Sequence, residues 1–269
     1  MHLLLLTAML LADLRRPEGV RIQYDTRGAG ETALVFVHGW ASERGAWREQ
    51  ATYFATNYRV VTLDLPGHGQ SAPGRRKVWT LDNLAGDVRA VVEHLKLKRV
   101  ILVGHSMGGP VVLLAAAKLP MVKAVILVDT VHNADANLAR EQAGQFAAVL
   151  TKDFRGTMSK VIADMFPVGS PLAVEVTGQA LSRDPALLTA LIRDYSNVDF
   201  PDLLRSVKVP IRAINAAPRV PGDPATNLAV NRKYSDFDAT VLSGVGHYLM
   251  LERPGEFNAV LREWLSVLK

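Results

Sequence analysis

Residues 100–117 read VILVGHSMGGPVVLLAAA, and their pattern is the strongest indication of how the chain folds. A short apolar run, as expected for a strand buried on both faces, leads into a glycine-rich turn and then into a run of helical composition. The turn contains the pattern G-x-S-x-G at Gly104, Ser106 and Gly108. A serine on so tight a strand-to-helix turn has strained backbone angles, and the flanking glycines avoid clashes. The hydroxyl of Ser106 is therefore predicted to stand out at the top of a sheet, at the positive end of a helix.

Strand-like and helix-like segments alternate along the rest of the chain. A helix is predicted after Thr80, a suitable N-cap, and the last helix is predicted to begin at Pro254, where the missing N–H costs nothing. This alternation predicts an α/β fold with a mostly parallel central sheet and helices on both faces. The predicted strands are 20–26, 33–37, 59–63, 100–103, 124–128, 209–214 and 239–242.

One long interval breaks this alternation and predicts an insertion. Between Asp129 and Val209 no convincing strand occurs, and helical patches cover 136–150, 154–166, 171–182 and 185–196. An insertion after the carboxyl end of a strand lies over the edge where open α/β sheets bind ligands. We therefore expect a helical cap at 133–200 on a core formed by 18–132 and 201–269. The alternative is two crossover helices joined by a long loop, which compact domains rarely contain.

The amino-terminal segment, residues 1–16, is hydrophobic. Residues 3–12 read LLLLTAMLLA, which is too short to span a bilayer and resembles the apolar part of a secretory signal. A positively charged start and a clean cleavage site are both missing. The segment is interpreted as a remnant of an export signal or as an added helix that packs on the domain, so cytoplasmic and exported locations both stay open.

Composition excludes several classes of protein. The 269 residues are 49% hydrophobic and 21% charged, which is typical of one large globular domain and not of a disordered chain, a collagen or a coiled coil. The absence of cysteine excludes disulfides, thiolate metal sites and a cysteine nucleophile. The net charge of +5 comes from short basic clusters, which indicates a solvated surface and no nucleic-acid partner.

Three further motifs follow predicted strands in a fixed order. They are His38-Gly39-Trp40 after the run ALVFV, the turn DLPGHGQS at 64–71, and Gly246-His247 shortly before the last helix. With the G-x-S-x-G turn, this order resembles the α/β-hydrolase family over about residues 20–269. The resemblance implies that Ser106 is the nucleophile on the family's nucleophile elbow and that His38-Gly39-Trp40 is its oxyanion loop.

A serine hydroxyl is a poor nucleophile and needs a base within hydrogen-bond reach. Of the seven histidines, His247 best fits this role because it follows the last strand. His38 and His105 flank the sheet edge and are expected to hold loops. Met107 supplies one backbone N–H to the oxyanion hole. By the family resemblance, Trp40 supplies the other, and its side chain could equally form a pocket wall.

The third member of the triad is the least certain position. The family usually places an acid just after the strand VPIRAIN, but Ala217 or a neighbour occupies that position here. Asp223 is the first acid on that loop and is the preferred candidate. Asp129, which ends the preceding strand, is the alternative. Asp64 is expected to order its own turn and to have no catalytic role.

These residues predict a cofactor-independent serine hydrolase, and a carboxylic ester hydrolase acting through an acyl-enzyme on a small or medium apolar ester fits best. The alternatives are a lactonase, amidase, C–C hydrolase or perhydrolase of the same fold, or a low-turnover ligand-binding protein that keeps the triad. Because the nucleophile is a serine and not an aspartate, the resemblance disfavours dehalogenase and epoxide hydrolase chemistry.

No metal ligand motif, dinucleotide fingerprint or P-loop occurs, so neither a metal nor another cofactor is expected. The expected partner is a small-molecule substrate, with no stable membrane span, and the oligomeric state stays open. Seven apolar residues of the predicted cap either line an acyl pocket or pack the cap: Leu150, Val161, Ile162, Phe166, Leu187, Leu188 and Leu191.

Overall fold

The computed structural model describes residues 10–136 and 140–268. Eight strands form a single sheet in the order β1-β2-β4-β3-β5-β6-β7-β8, in which β1, β2 and β4 pair antiparallel and all other neighbours pair parallel. The strands are β1 Leu10–Arg15, β2 Arg21–Arg27, β3 Thr32–Val37, β4 Arg59–Leu63, β5 Arg99–His105, β6 Val122–Val128, β7 Ile211–Ala216 and β8 Phe237–Leu242.

Helices cover both faces of the sheet and its carboxyl edge. Within the described ranges, no helix is long and apolar enough to cross a membrane. The helices are α1 Arg48–Phe54, α2 Leu81–His94, α3 Gly108–Ala116, α4 Arg140–Lys152, α5 Phe154–Asp164, α6 Pro171–Leu181, α7 Pro185–Tyr195, α8 Phe200–Ser206, α9 Leu228–Asn231, α10 Leu249–Glu252 and α11 Pro254–Val267, with short 3-10 turns at Pro17–Gly19 and Arg44–Trp47.

The seven predicted strands are all present, with small shifts at their ends. In β7, which was expected from residue 209, the strand begins at Ile211. Pro210 lacks the N–H that a strand with neighbours on both sides needs, so the ladder starts after it. The carboxyl ends of β3, β5, β6 and β7 meet along one edge of the sheet, and the loops that leave this edge carry the motif residues.

The expectation for the amino-terminal segment is corrected where the structure describes it. Residues 10–15 form neither a helix nor a detached leader but the edge strand β1, which pairs with β2 in the register Leu14↔Ile22. Ala12 and Leu14 are partly buried, and the alternating positions Asp13 and Arg15 are exposed. This period of two is typical of a strand with one buried face. Residues 1–9 lie outside the described residues.

Four helices, α4 to α7, fill most of the interval between β6 and α8, where the helical cap was predicted. We call them the cap helices. The buried residues Leu150, Ile162, Leu187, Leu188 and Leu191 belong to the same apolar cluster as the core of the sheet. They therefore pack the cap, while the division into core and cap at 133–200 stays a prediction.

Candidate active site

Ser106 lies between the end of β5 and the start of α3 in a strained backbone conformation. Its φ is 53°, which non-glycine residues rarely adopt. Two backbone hydrogen bonds hold it there: Ser106 N–H donates to Val128 O (2.9 Å), and Gly109 N–H donates to Ser106 O (2.8 Å). Strain of this kind, of about 1–3 kcal/mol, persists only where surrounding structure enforces it and is concentrated at functional sites.

Two glycines allow the oxyanion loop and the elbow to approach each other. A Cβ on Gly39 would lie 2.9 Å from Ser106 Cβ and 3.0 Å from His105 Nδ1. A Cβ on Gly108 would lie 2.6 Å from His38 O. Any side chain at either position would push the turn after β3 away from the elbow. The two motifs found in the sequence are therefore in direct contact.

His247 and Asp129 form a hydrogen-bonded pair. Asp129 follows β6 and is 8% exposed, and its Oδ2 accepts a hydrogen bond of 2.6 Å from His247 Nδ1. Asp129 Oδ1 accepts from the backbone N–H of Ala216 at the end of β7 (2.7 Å). Burial alone would raise the pKa of the Asp129 carboxyl, but the hydrogen bond and the charge of His247 outweigh it, so the pKa is lowered. Asp129 is therefore an ionised acceptor, which leaves the proton of the neutral imidazole on Nδ1 and makes His247 Nε2 free to accept another.

The preference for Asp223 as the carboxylate that holds His247 is corrected. Asp223 Oδ2 accepts from the backbone N–H groups of Arg219 (2.8 Å) and Val220 (3.2 Å), so the carboxylate closes its own turn. The end of β7, where a carboxylate was sought, contributes a backbone N–H to Asp129 instead. The structure thus brings together Ser106, His247 and the alternative acid Asp129.

Ser106, Asp129 and His247 line one cavity of about 1040 Å³. It is bounded by the end of β6, by residues between the end of β7 and the start of α9, and by the end of α5. No hydrogen bond joins Ser106 Oγ to His247 among the described residues, and such contacts commonly tighten when substrate binds. Of the seven apolar residues proposed for an acyl pocket, Val161 lines this cavity, and Phe166 stacks on Tyr248 with ring centroids 5.0 Å apart.

The two residues proposed for the oxyanion hole are buried beside the elbow. Met107 immediately precedes α3, and Trp40 follows β3. Among the described residues, no hydrogen bond from either backbone N–H to a protein acceptor is seen, and neither residue lines the cavity. The Trp40 side chain is a cap contact and does not line the cavity, because its indole Nε1–H donates to Leu188 O (3.0 Å) in α7.

Three buried histidines hold loops around the site. Burial lowers the pKa of His38, His68 and His105 to about 3, so all three are neutral near pH 7. Leu65 N–H donates to His38 Nε2 (3.0 Å), which leaves the proton on Nδ1, where it is donated to Gly39 O (2.8 Å). The expectation that His38 and His105 hold loops agrees with these contacts.

Asp64 orders the turn that follows β4. Its carboxylate accepts from the backbone N–H groups of Arg44 (2.7 Å) and Gln70 (2.8 Å) and forms an ion pair with the Arg44 guanidinium. The side chain is fully buried and does not line the site cavity. It therefore has the ordering contacts that were expected of it.

His132 is a neighbour of the site that the sequence did not single out. Its Nε2 lies 3.5 Å from Asp129 Oδ1, and burial lowers its pKa despite the opposing effect of that carboxylate. Its position three residues after Asp129 is a signal only once Asp129 is known to be part of the site. Residues 10–136 and 140–268 contain no cluster of three or more side chains arranged to hold a metal ion.

The fold is that of an α/β protein with a mostly parallel sheet, and comparison with known proteins identifies its family. The chain belongs to the alpha/beta hydrolase fold family, whose model matches residues 32–235. The comparison confirms the predicted fold and supports the expectation that the protein is a hydrolase.

The matches to individual relatives cover different shares of the relatives' length. The chain is 30% identical over 217 residues to a bifunctional esterase/perhydrolase from Acinetobacter calcoaceticus, covering 72% of this chain and 77% of that protein. It is 29% identical over 257 residues to a dihydrolipoyllysine-residue acetyltransferase component of an acetoin cleaving system from Cupriavidus necator, covering 93% of this chain and 67% of that protein. Several other matches span only about a third of the relative's length.

Among solved structures, a thermophilic esterase from Thermogutta terrifontis superposes with a TM-score of 0.80. The match covers 97% of this chain and 99% of the esterase, at 23% sequence identity. At this level of identity the likeness establishes the shared fold.

Proposed function

We propose that the protein is a cofactor-independent carboxylic ester hydrolase with Ser106 as nucleophile, His247 as general base and Asp129 as the acid of the triad. The observation that carries this proposal is the 2.6 Å pair of His247 and Asp129 in the same cavity as the strained Ser106. A serine nucleophile needs a base, and the base needs a group that fixes its tautomer. All three groups meet at one edge of the sheet.

The reaction follows from the proton positions. His247 Nε2 takes the proton of Ser106 Oγ as the oxygen attacks the ester carbonyl, and the N–H groups of Met107 and Trp40 receive the developing oxyanion. Collapse of the tetrahedral intermediate breaks the ester C–O bond, and the imidazolium gives its proton to the leaving alcohol. Water then attacks the acyl-enzyme with His247 again as base, which releases the acid and restores Ser106. Asp129 stays ionised and stabilises the imidazolium.

Small residues form part of the wall of the roughly 1040 Å³ cavity, which supports room for a small or medium ester. The wall includes Ala217, Ala225 and Gly222. Several polar groups there are already hydrogen-bonded within the protein: Thr226 Oγ1 accepts from Asn215, and the Asp223 carboxylate accepts from its own turn. Esterase is also the activity named for the Acinetobacter relative.

The proposal is tested by covalent labelling and by turnover. A fluorophosphonate should label the wild-type protein at Ser106, and nitrophenyl esters of increasing acyl length should be hydrolysed. Ser106→Ala should abolish labelling and lower kcat by roughly 10⁴–10⁶. Ser266→Ala, on the exposed face of α11, is the matched control and should behave as wild type.

Other outcomes decide between the alternatives. Labelling without turnover of any ester would favour a ligand-binding protein that keeps the triad. Turnover of lactones or amides in preference to esters would identify the protein as a lactonase or an amidase of the same fold. Ser106→Ala with more than a tenth of wild-type turnover would contradict the proposed mechanism.

A further inference from the structure

We infer that His105 is a positioning residue that holds the backbone of His247 in place relative to Ser106. The inference rests on the proposed function, because it assigns to His105 an effect on the proposed base. His105 directly precedes the nucleophile and is fully buried. Its Nε2–H donates a hydrogen bond of 2.8 Å to the backbone carbonyl oxygen of His247. The two residues are 142 positions apart in the sequence.

The peptide groups of His247 are held from two sides. Its N–H donates to Met165 O (2.7 Å), just after cap helix α5, and its C=O accepts from His105. The side chain is held separately by Asp129. With both backbone groups bound, the position from which the imidazole reaches toward Ser106 is set before substrate arrives, which is the preorganisation that catalysis needs.

The His105 ring also contacts the other parts of the site. Its centroid lies 4.6 Å from that of His247 and 4.8 Å from that of Tyr248. A Cβ on Gly39 would lie 3.0 Å from His105 Nδ1, so the ring abuts the oxyanion loop. The His105 ring therefore contacts both the loop that follows β3 and the loop that carries His247. Residue 105 also immediately precedes Ser106 in the chain.

His105 cannot itself act as the base. Burial lowers its pKa to about 3, and its Nε2 proton is already donated to a carbonyl. The neutral Nε2–H form is the one that the contact with His247 O requires, because a carbonyl oxygen only accepts. Its contribution to turnover must then act through His247.

Two substitutions separate the hydrogen bond from the packing. His105→Gln retains an amide N–H near the position of imidazole Nε2, whereas His105→Leu keeps bulk and removes the donor. We expect His105→Leu to lower kcat by about 10- to 100-fold, the range seen when a group that orients a site residue is lost, with KM changed less than about threefold. His105→Gln should recover most of the lost kcat. Urea unfolding and the rate of fluorophosphonate labelling are measured on both variants.

The results distinguish positioning from mere structural support. Equal losses of kcat in the two variants, or wild-type kcat in a folded His105→Leu, would overturn the inference. Turnover in Ser106→Ala would overturn the proposed function and this inference with it, whereas a normal Ser106→Ala result with a silent His105→Leu overturns the positioning role alone.

A measurement on the wild-type protein covers the case in which the variants do not fold. In ¹⁵N-histidine-labelled protein, His105 should show a slowly exchanging Nε2–H proton with a nuclear Overhauser contact to the backbone at His247–Tyr248. Absence of that contact in the folded protein would overturn the inference directly.

Discussion

Asp129 takes a left-handed backbone conformation, with φ of 48°, directly after the buried strand β6. The conformation turns its carboxylate toward the neighbouring strand end, where Ala216 N–H binds one oxygen and His247 binds the other. Both oxygens of this nearly buried carboxylate therefore accept hydrogen bonds. The residue combines backbone strain, a lowered pKa and a charged hydrogen bond, which together indicate a functional site.

Asp129→Asn is predicted to lower kcat by about 10²–10⁴, because an amide cannot both hold the Nδ1–H tautomer and stabilise the imidazolium. Asp223→Asn is the matched control, since it removes the same charge from the wall of the same cavity. Its kcat should stay within about threefold of wild type. Steady-state kinetics on one nitrophenyl ester measure kcat for both variants. A larger loss of kcat in Asp223→Asn than in Asp129→Asn would identify Asp223 as the acid of the triad.

The site residues that lie in local sequence patterns could be predicted. Ser106 was found from the glycines around it, and His247 from its position before the last helix. The choice between Asp129 and Asp223 depends on which carboxylate reaches His247 in space, and sequence separation carries no information about that distance. The particular contacts of His105 Nε2 with His247 O and of His247 N–H with Met165 O could not be read from the sequence, because each joins atoms far apart in the chain.

The cap helices are joined to the loop that follows β3 by side-chain contacts. The Trp40 indole donates to Leu188 O in α7, and the Glu43 carboxylate pairs with Arg183 before α7 (2.6 Å). The Trp40 ring also lies 5.9 Å from that of Phe146 in α4. The residue proposed to supply an oxyanion N–H is therefore the same residue that contacts two cap helices.

Trp40→Phe is expected to remove the hydrogen bond to Leu188 O while keeping most of the packing. The free energy of unfolding should fall by about 1 kcal/mol, the typical net value of one such bond. We expect kcat to fall by about threefold to tenfold, because the loop that presents the Trp40 N–H loses its anchor. Urea unfolding and ester kinetics measure the two effects.

Trp264→Phe on α11 is the matched control, because it makes the same chemical change on a helix outside the cap. Its kcat should equal that of the wild type. If Trp40→Phe reduced the stability but left kcat unchanged, the contact between Trp40 and the cap would not be needed to position the loop that follows β3.

Long helices with a clear apolar period were predicted well. Elements that depend on a partner strand, or that are too short to show a period, were not. Helices α2 and α11 and the four cap helices follow their apolar spacing closely. Strand β1 was missed because its apolar run looks the same as a leader sequence until its partner β2 is known. The short helices α9 and α10 carry too few turns to show a period.

Three neutral histidines, His38, His68 and His105, are packed without exposure around the elbow and the adjoining turns. In the unfolded chain their pKa returns to an ordinary value of about 6.5. Since the folded-state pKa of each is about 3, the unfolded chain binds more protons between these two pH values. Stability is therefore complete above about pH 6.5 and decreases as the pH falls below it.

Lowering the pH from 7 to 5 is predicted to reduce the free energy of unfolding by about 2 kcal/mol for each of these histidines, or about 6 kcal/mol in all. Urea unfolding at several pH values measures the slope. His68→Gln should reduce the slope, because it removes one buried ring, and His94→Gln, on the exposed face of α2, is the control substitution. A free energy of unfolding that does not vary over this range would show that the three rings are not held neutral.

The pairing of β1 with β2 has a consequence for how molecules meet one another. Without β1, the outer N–H and C=O groups of β2 would form an open sheet edge, a ready template for strands of other chains and for aggregation. The strand that closes this edge is short and presents Asp13 and Arg15 outward. Short, charged edge strands resist further pairing, so β1 is expected to limit edge-to-edge association of the protein at high concentration.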